Sequence, residues 1–155
     1  MLEATQALEA QRIGSEHEQC LSRFFELLDE QDVGRYFHPH PFDSPTARSL
    51  ANYQGQDLYY VFTWRGVIVA YGMLRGWDEG YDVPSLGLVV HREFRGMGLG
   101  RAMMEFLHAS ARLRGAGRIR LKVYAANVQA VDLYRSMGYE FRGEENGQLV
   151  AFLEL

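Results

Sequence analysis

The spacing of apolar positions predicts alternating helical and extended segments. Over 16–30, Cys20, Leu21, Phe24, Leu27 and Leu28 fall on one helical face, and Ser15 followed by Glu18 reads as a capping box at its start. Residues 5–13 carry a weaker, strand-like pattern. Three prolines within 36–45 forbid a regular element there, and Ser44-Pro45 reads as an N-cap with proline at the first helical position of a short helix through about Leu50. Residues 58–64 and 67–74 are aromatic and β-branched on either side of the tight turn Arg65-Gly66. The run 86–90 is continuously apolar, which predicts a strand buried on both faces. Helical periodicity takes over at 98–114, with Leu99, Ala102, Met103, Phe106, Leu107 and Ala111 in one stripe, and Gly115 and Gly117 stop it. Residues 118–125 alternate as a strand with Ile119, Leu121 and Val123 on one side. A second helix follows over 128–137, and strands 139–142 and 148–155 pair around Asn146-Gly147.

The resulting order is β-α-α-β-β-β-α-β-α-β-β. Strand–helix–strand over 86–125 requires a parallel pair with a crossover helix, whereas the flanking hairpins are antiparallel. The fold class is therefore α/β (α+β): a mixed, mostly antiparallel sheet flanked by helices.

Composition narrows the function classes. With 155 residues, 47% apolar and 23% charged, the chain is one domain's worth of globular sequence over 1–155. Its net charge of −4 argues against a nucleic-acid coat. Cys20 is the single cysteine, so no internal disulfide forms, and no Cys/His cluster has metal-ligand spacing. The longest apolar run, Val67–Leu74, is too short for a membrane span, and the first residues lack the basic start and apolar stretch of a signal peptide. The expectation is a cytoplasmic protein with no membrane or nucleic-acid partner.

The segment Arg95-Gly96-Met97-Gly98-Leu99-Gly100-Arg101 lies between the apolar strand and the crossover helix. Alternate glycines let the backbone turn tightly and present N–H groups, and the helix start adds unpaired N–H groups and the positive end of its dipole. Together these suit an anion such as a pyrophosphate; glycines serving only helix–strand packing give the plainer alternative. The absence of Gly-Lys-Ser/Thr excludes a nucleotide P-loop. The Gly-x-Gly-x-Gly spacing, without a following acidic strand end, argues against a dinucleotide site.

The run 88–101 (LVVHREFRGMGLGR) resembles the acyl-coenzyme-A motif of the GNAT superfamily of N-acetyltransferases, Arg/Gln-x-x-Gly-x-Gly/Ala, with Arg95, Gly98 and Gly100 in place. The block 119–141 resembles the family's second signature through Asn127, Tyr134, Gly138 and Tyr139. The resemblance implies transfer of an acetyl group from acetyl-CoA to an amine by direct attack. It also implies two parallel strands splayed at the cofactor, a β-bulge near that slot, and sheet edges able to pair two copies as a homodimer. The implied cofactor residues are Leu88, Val89, Val90, Arg95, Gly96, Met97, Gly98, Leu99, Gly100, Arg101, Asn127 and Tyr134. Tyr134 resembles the general acid that protonates the leaving thiolate; the alternative is a core aromatic beside Val131.

The match fails at the general base. Where many family members carry Glu, this chain has Ser85, which leaves Ser85 holding a water, Asp82, Glu79, His38 and His40 as candidates. The loops 36–43 and 76–84 are the expected acceptor walls, through Phe37, His38, His40, Trp77, Glu79 and Asp82. A small-molecule primary amine, an amino sugar or nucleotide-linked amino sugar among them, is the expected acceptor. A protein N-terminus or lysine, and a non-catalytic acyl-CoA sensor, are the alternatives. Charge is unevenly spread: residues 91–122 hold eight basic side chains against Glu93 and Glu105, and the rest of the chain is acidic. The expectation is an anionic donor at the basic end and a cationic acceptor at the acidic loop.

Overall fold

The computed structural model describes residues 6–30 and 36–155. Seven strands form one sheet in the order β1-β2-β3-β4-β5-β7-β6. They are β1 (Glu9–Arg12), β2 (Leu58–Trp64), β3 (Val67–Arg75), β4 (Ser85–Val90), β5 (Arg118–Val123), β6 (Glu140–Glu145) and β7 (Gln148–Glu154). The helices are α1 (Glu18–Glu30), α2 (Ser44–Ala51), α3 (Leu99–Leu113) and α4 (Val128–Ser136). Every neighbouring pair is antiparallel except β4–β5, which is parallel across the α3 crossover. The strand, hairpin and crossover expectations hold. Thr5, in the expected first strand, lies outside the described residues, and β1 alternates between half-buried and exposed positions, with none fully buried, as an edge strand paired to β2.

The sheet separates two cores. On one face, Met103, Met104, Leu107 and Ala111 of α3 and Val131 of α4 pack on Leu86, Ile119, Leu121 and Val123. On the other, Leu21, Phe24, Phe25 and Leu28 of α1 and Leu50 of α2 cover Val61, Tyr71, Met73 and Val89. Among the described residues no helix is long and apolar enough to cross a membrane.

Two local expectations are corrected. At the first helix a 3-10 turn over Ser15–His17 precedes α1, and the Nδ1 atom of His17, not Glu18, accepts from the Gly14 N–H at 2.9 Å. At α2 the cap is Asp43 rather than Ser44: its carboxylate accepts from the Thr46 N–H at 2.9 Å, and hydrogen bonds from the Thr46 side chain and then this N–H hold its pKa down. Strand β4 is covered on both faces as expected, with Leu86 in the α3-side core and Val89 in the α1-side core, while Ser85, Gly87, Leu88 and Val90 are half-buried because its neighbour β5 diverges from it.

Candidate active site

The site begins with that divergence. β4 and β5 share one paired position, Ser85 opposite Arg120, where the Arg120 N–H donates to the Pro84 carbonyl at 3.0 Å. Beyond it the strands separate and leave the backbone of 86–90 without a strand partner on that side. β3 keeps an unbroken register with β4 from Arg75↔Ser85 to Ala70↔Val90. The register shifts of the sheet lie elsewhere, at Phe62/Thr63 and Phe141/Glu144. The expected bulge at the slot is thus corrected: strand divergence, not an extra residue, opens it. The slot is the floor of a cleft of about 1420 Å³.

One end of the cleft is built by the glycine segment. A 3-10 turn at Arg92–Phe94 follows β4, with His91 Nδ1 accepting from the Glu93 N–H at 3.1 Å. Gly96 (φ 78°) and Gly98 (φ 85°) then take left-handed conformations that a Cβ disfavours. Gly98 caps α3 without any side-chain acceptor, so the N–H groups of the first turn point unpaired to the cleft's end. Arg95, Gly96, Gly98, Leu99, Gly100 and Arg101 line it, as do Leu88, Val89 and Val90. Met97 does not; at the tip of the turn it is 69% exposed. Asn127 lines the cleft while capping α4, accepting from the Ala130 N–H at 3.4 Å.

Tyr134 projects from α4 into the same wall. Burial pushes its phenol up to about 12, so it keeps its proton at neutral pH. Its ring lies 5.9 Å from that of Tyr139, whose hydroxyl shares a 2.8 Å hydrogen bond with His108 Nε2. Burial, followed by Arg112, pushes the His108 pKa down to about 4. His91 and His108 are both buried packing residues outside the cleft.

The opposite end lies on the α1/α2 face. Tyr36 and His38 lean on Tyr124, with ring centroids 6.2 and 6.1 Å apart. Phe37, Glu79, Asp82 and Ser85 also line this end; Glu79 and Asp82 are exposed and Ser85 is half-buried. Two expected wall residues stand outside it. His40 donates from Nδ1 to the Pro41 carbonyl at 2.7 Å and meets the Tyr71 hydroxyl with Nε2 at 2.8 Å, so both nitrogens are engaged against the α1 core. Burial lowers its pKa. Trp77 turns toward α3, where Arg114 stacks on it at 4.6 Å. The cause is Asp57, a buried carboxylate accepting from the N–H groups of Gly76, Trp77 and Asp78 at 3.0, 2.9 and 3.3 Å. Asp78 is committed to Tyr53 and the Gln56 N–H, bonds that hold its pKa down. Much of the acidic loop therefore serves loop construction.

Sequence reasoning missed Arg118, Arg120, Lys122, Tyr124 and Phe152, all of which line the cleft. Their signal was present: if Ile119, Leu121 and Val123 face α3, then Arg118, Arg120, Lys122 and Tyr124 face the other way. Their charge therefore does not lie beside the glycine segment, as the charge division suggested. Among the described residues no group of three or more His, Cys, Asp or Glu side chains is placed to hold a metal ion.

The family model described as "Acetyltransferase (GNAT) family" matches residues 21–139. A probable spermine N(1)-acetyltransferase of Bacillus subtilis subsp. natto is 30% identical over 115 residues, covering 70% of this chain and 75% of that protein. Among solved structures, the GNAT domain of PAT from S. lividans superposes with a TM-score of 0.81 at 20% identity, over 96% of this chain and 90% of that one. The paia N-acetyltransferase of Thermoplasma acidophilum, solved in complex with coenzyme A, superposes at 0.76 with 13% identity, over 96% and 99%. At these identities the structural likeness speaks for the fold.

Proposed function

Because the chain belongs to the acetyltransferase (GNAT) family and is an acetyl-CoA-dependent N-acetyltransferase, we propose that its cleft takes the donor at the glycine segment and a small primary amine at the opposite end. The observation carrying this reading is the slot itself: two parallel strands joined at one position, with an uncapped helix N-terminus at one end and a protonated phenol in the wall. The residues fit the donor. Gly96 and Gly98 leave their left-handed turns free of Cβ atoms, and no neighbour lies within 4 Å of where one would stand, so a pyrophosphate has room against the first-turn amides. Arg95 and Arg101 add positive charge. The unpaired edge of β4 offers Leu88–Val90 backbone groups to an extended amide arm.

When bound, acetyl-CoA supplies a thioester carbonyl: the amine nitrogen bonds to its carbon, the carbon–sulfur bond breaks, the amine loses a proton and the sulfur gains one. Tyr134 holds its proton through the whole physiological range and gives it at the sulfur. Asp82, or a water held by Ser85, takes the amine proton; both stand at the acceptor end. Asn127 sets the start of α4 and so the height of Tyr134 in the wall. The Bacillus relative is named for acetylating spermine, which supports a small amine over a protein acceptor. Amino sugars belong to the same class.

The test follows acetyl-CoA consumption over polyamines, amino sugars, amino acids and peptides, with Tyr134→Phe beside the wild type. Loss of a general acid lowers kcat by roughly 10²-fold or more, while coenzyme A affinity is retained. Turnover of Tyr134→Phe within twofold of wild type removes the acid role, and coenzyme A binding without consumption over the whole panel removes the reading.

A further inference from the structure

The acceptor end is not the anionic chamber that the acidic loop suggests. Its floor is the outward face of β5, where Arg118, Arg120 and Lys122 stand in a row two residues apart and all line the cleft. Their neighbours neutralise them incompletely. Glu145 is shared between Arg120 and Lys122, the latter at 4.0 Å, and Glu154 reaches Arg118 at 3.8 Å. The Nε atoms of Arg118 and Arg120 are buried without a hydrogen-bond partner, and the Arg118 guanidinium is stacked on Phe152 at 4.3 Å. These cations are partly withdrawn from water, with side-chain exposures of 38%, 28% and 34%. The facing carboxylates, Glu79 and Asp82, are exposed and therefore screened by solvent. Bracing the β6–β7 hairpin accounts for the Arg120–Glu145 contact. It does not account for three cations turned into one cleft with a single carboxylate between two of them.

We propose that the acceptor carries, besides its amine, an anionic group, phosphate or carboxylate, that seats on Arg120 and Lys122 with Arg118 as the outer cation. The proposal rests on the acetyltransferase reading above and names the substrate class for it. The slot opens beyond the Arg120 position, toward Tyr124, so the amine and the anion are separated by two to four residues of strand, roughly 7–13 Å at about 3.3 Å per residue. A polycation fits this floor poorly, since it brings ammonium groups against a row of guanidinium and ammonium groups. The chain would then differ in acceptor from its spermine-acetylating relative.

Two matched pairs read the preference and separate the sources of the anion: glucosamine against glucosamine 6-phosphate, and a dipeptide amide against the same dipeptide with a free carboxylate. Spermidine is the polycation control. The expected result is at least tenfold higher kcat/KM for the anionic member of one pair, with spermidine below both. The Arg120→Gln/Lys122→Gln double variant brings that ratio toward one, and Arg120→Lys preserves part of it. Unchanged coenzyme A affinity shows that the variants fold. In a separate arm, inorganic phosphate is titrated calorimetrically into coenzyme-A-saturated protein; saturable binding lost in the double variant supports the anion seat without any turnover. A ratio near one in both pairs, a preference for spermidine, or phosphate binding indifferent to the double variant overturns the proposal. Failure of every amine with coenzyme A still bound removes the small-amine reading instead, and the phosphate arm then decides the anion seat.

Discussion

Acidification should destabilise this protein through His108. His108 stands on the buried face of α3, is 5% exposed, and is hydrogen-bonded to Tyr139 across the core. Burial lowers its pKa from 6.5 to about 4. The unfolded chain therefore binds a proton at this residue between pH 6.5 and 4 that the folded chain does not, and stability must rise with pH across that window. The contribution is fully present above pH 6.5, is lost as pH falls, and stops changing below about 4. A shift of this size corresponds to on the order of 3 kcal/mol, at about 1.4 kcal/mol per pH unit. The assay is urea unfolding at pH 7.5, 6.0, 5.0 and 4.5 on wild type and His108→Gln. The glutamine retains a hydrogen-bonding group for Tyr139 and cannot titrate. His40, whose pKa is also lowered by burial, destabilises both proteins alike and drops out of the difference. Wild type is expected to be the more stable protein at pH 7.5 and to lose that lead by pH 4.5. A wild-type-minus-variant difference that stays flat over the series would refute the reasoning, because the folded imidazole would then titrate as the unfolded one does.

Two further outcomes test the loops that frame the cleft. Gly98→Ala places a Cβ at φ 85°, a cost of about 1–2 kcal/mol; if the loop relaxes to avoid it, coenzyme A affinity falls roughly 5- to 30-fold, measured by calorimetry, and if it does not, the same cost shows in urea unfolding. Asp57→Ala removes the acceptor shared by three N–H groups and should cost about 2–4 kcal/mol in urea unfolding, raising the amine KM while leaving coenzyme A affinity in place.

Much of the glycine-segment end of the cleft was legible before folding, because its signals are local. The stripe over 98–114, the alternation over 118–125 and the glycines between strand and helix depend on periods and φ values set within a few residues. They place Arg95–Arg101, Asn127 and Tyr134 on one cleft, with Met97 the exception at a turn tip. The opposite end of the cleft was less legible. Asp43 displaced Ser44 as a cap by one residue, a choice between two good cap formers that only the turn geometry makes. His40 looks like a site residue in a loop sequence, but its partner Tyr71 lies 31 residues away in the core. Trp77 reads as an acceptor wall until Asp57, 20 residues earlier, gathers its N–H and turns the ring to Arg114.

Alternation along β5 was readable from residue types alone; the function of each face was not. Apolar Ile119, Leu121 and Val123 had to be buried, and their charged neighbours had to point away. Where those charges arrive depends on strand order and on the divergence of β4 from β5, which no period in the chain encodes. Local chemistry thus determined a glycine turn at a helix start, a tyrosine on the next helix and a crossover. The packing of distant segments decided that the basic residues of 118–122 turn into the cleft on the face of β5 away from α3.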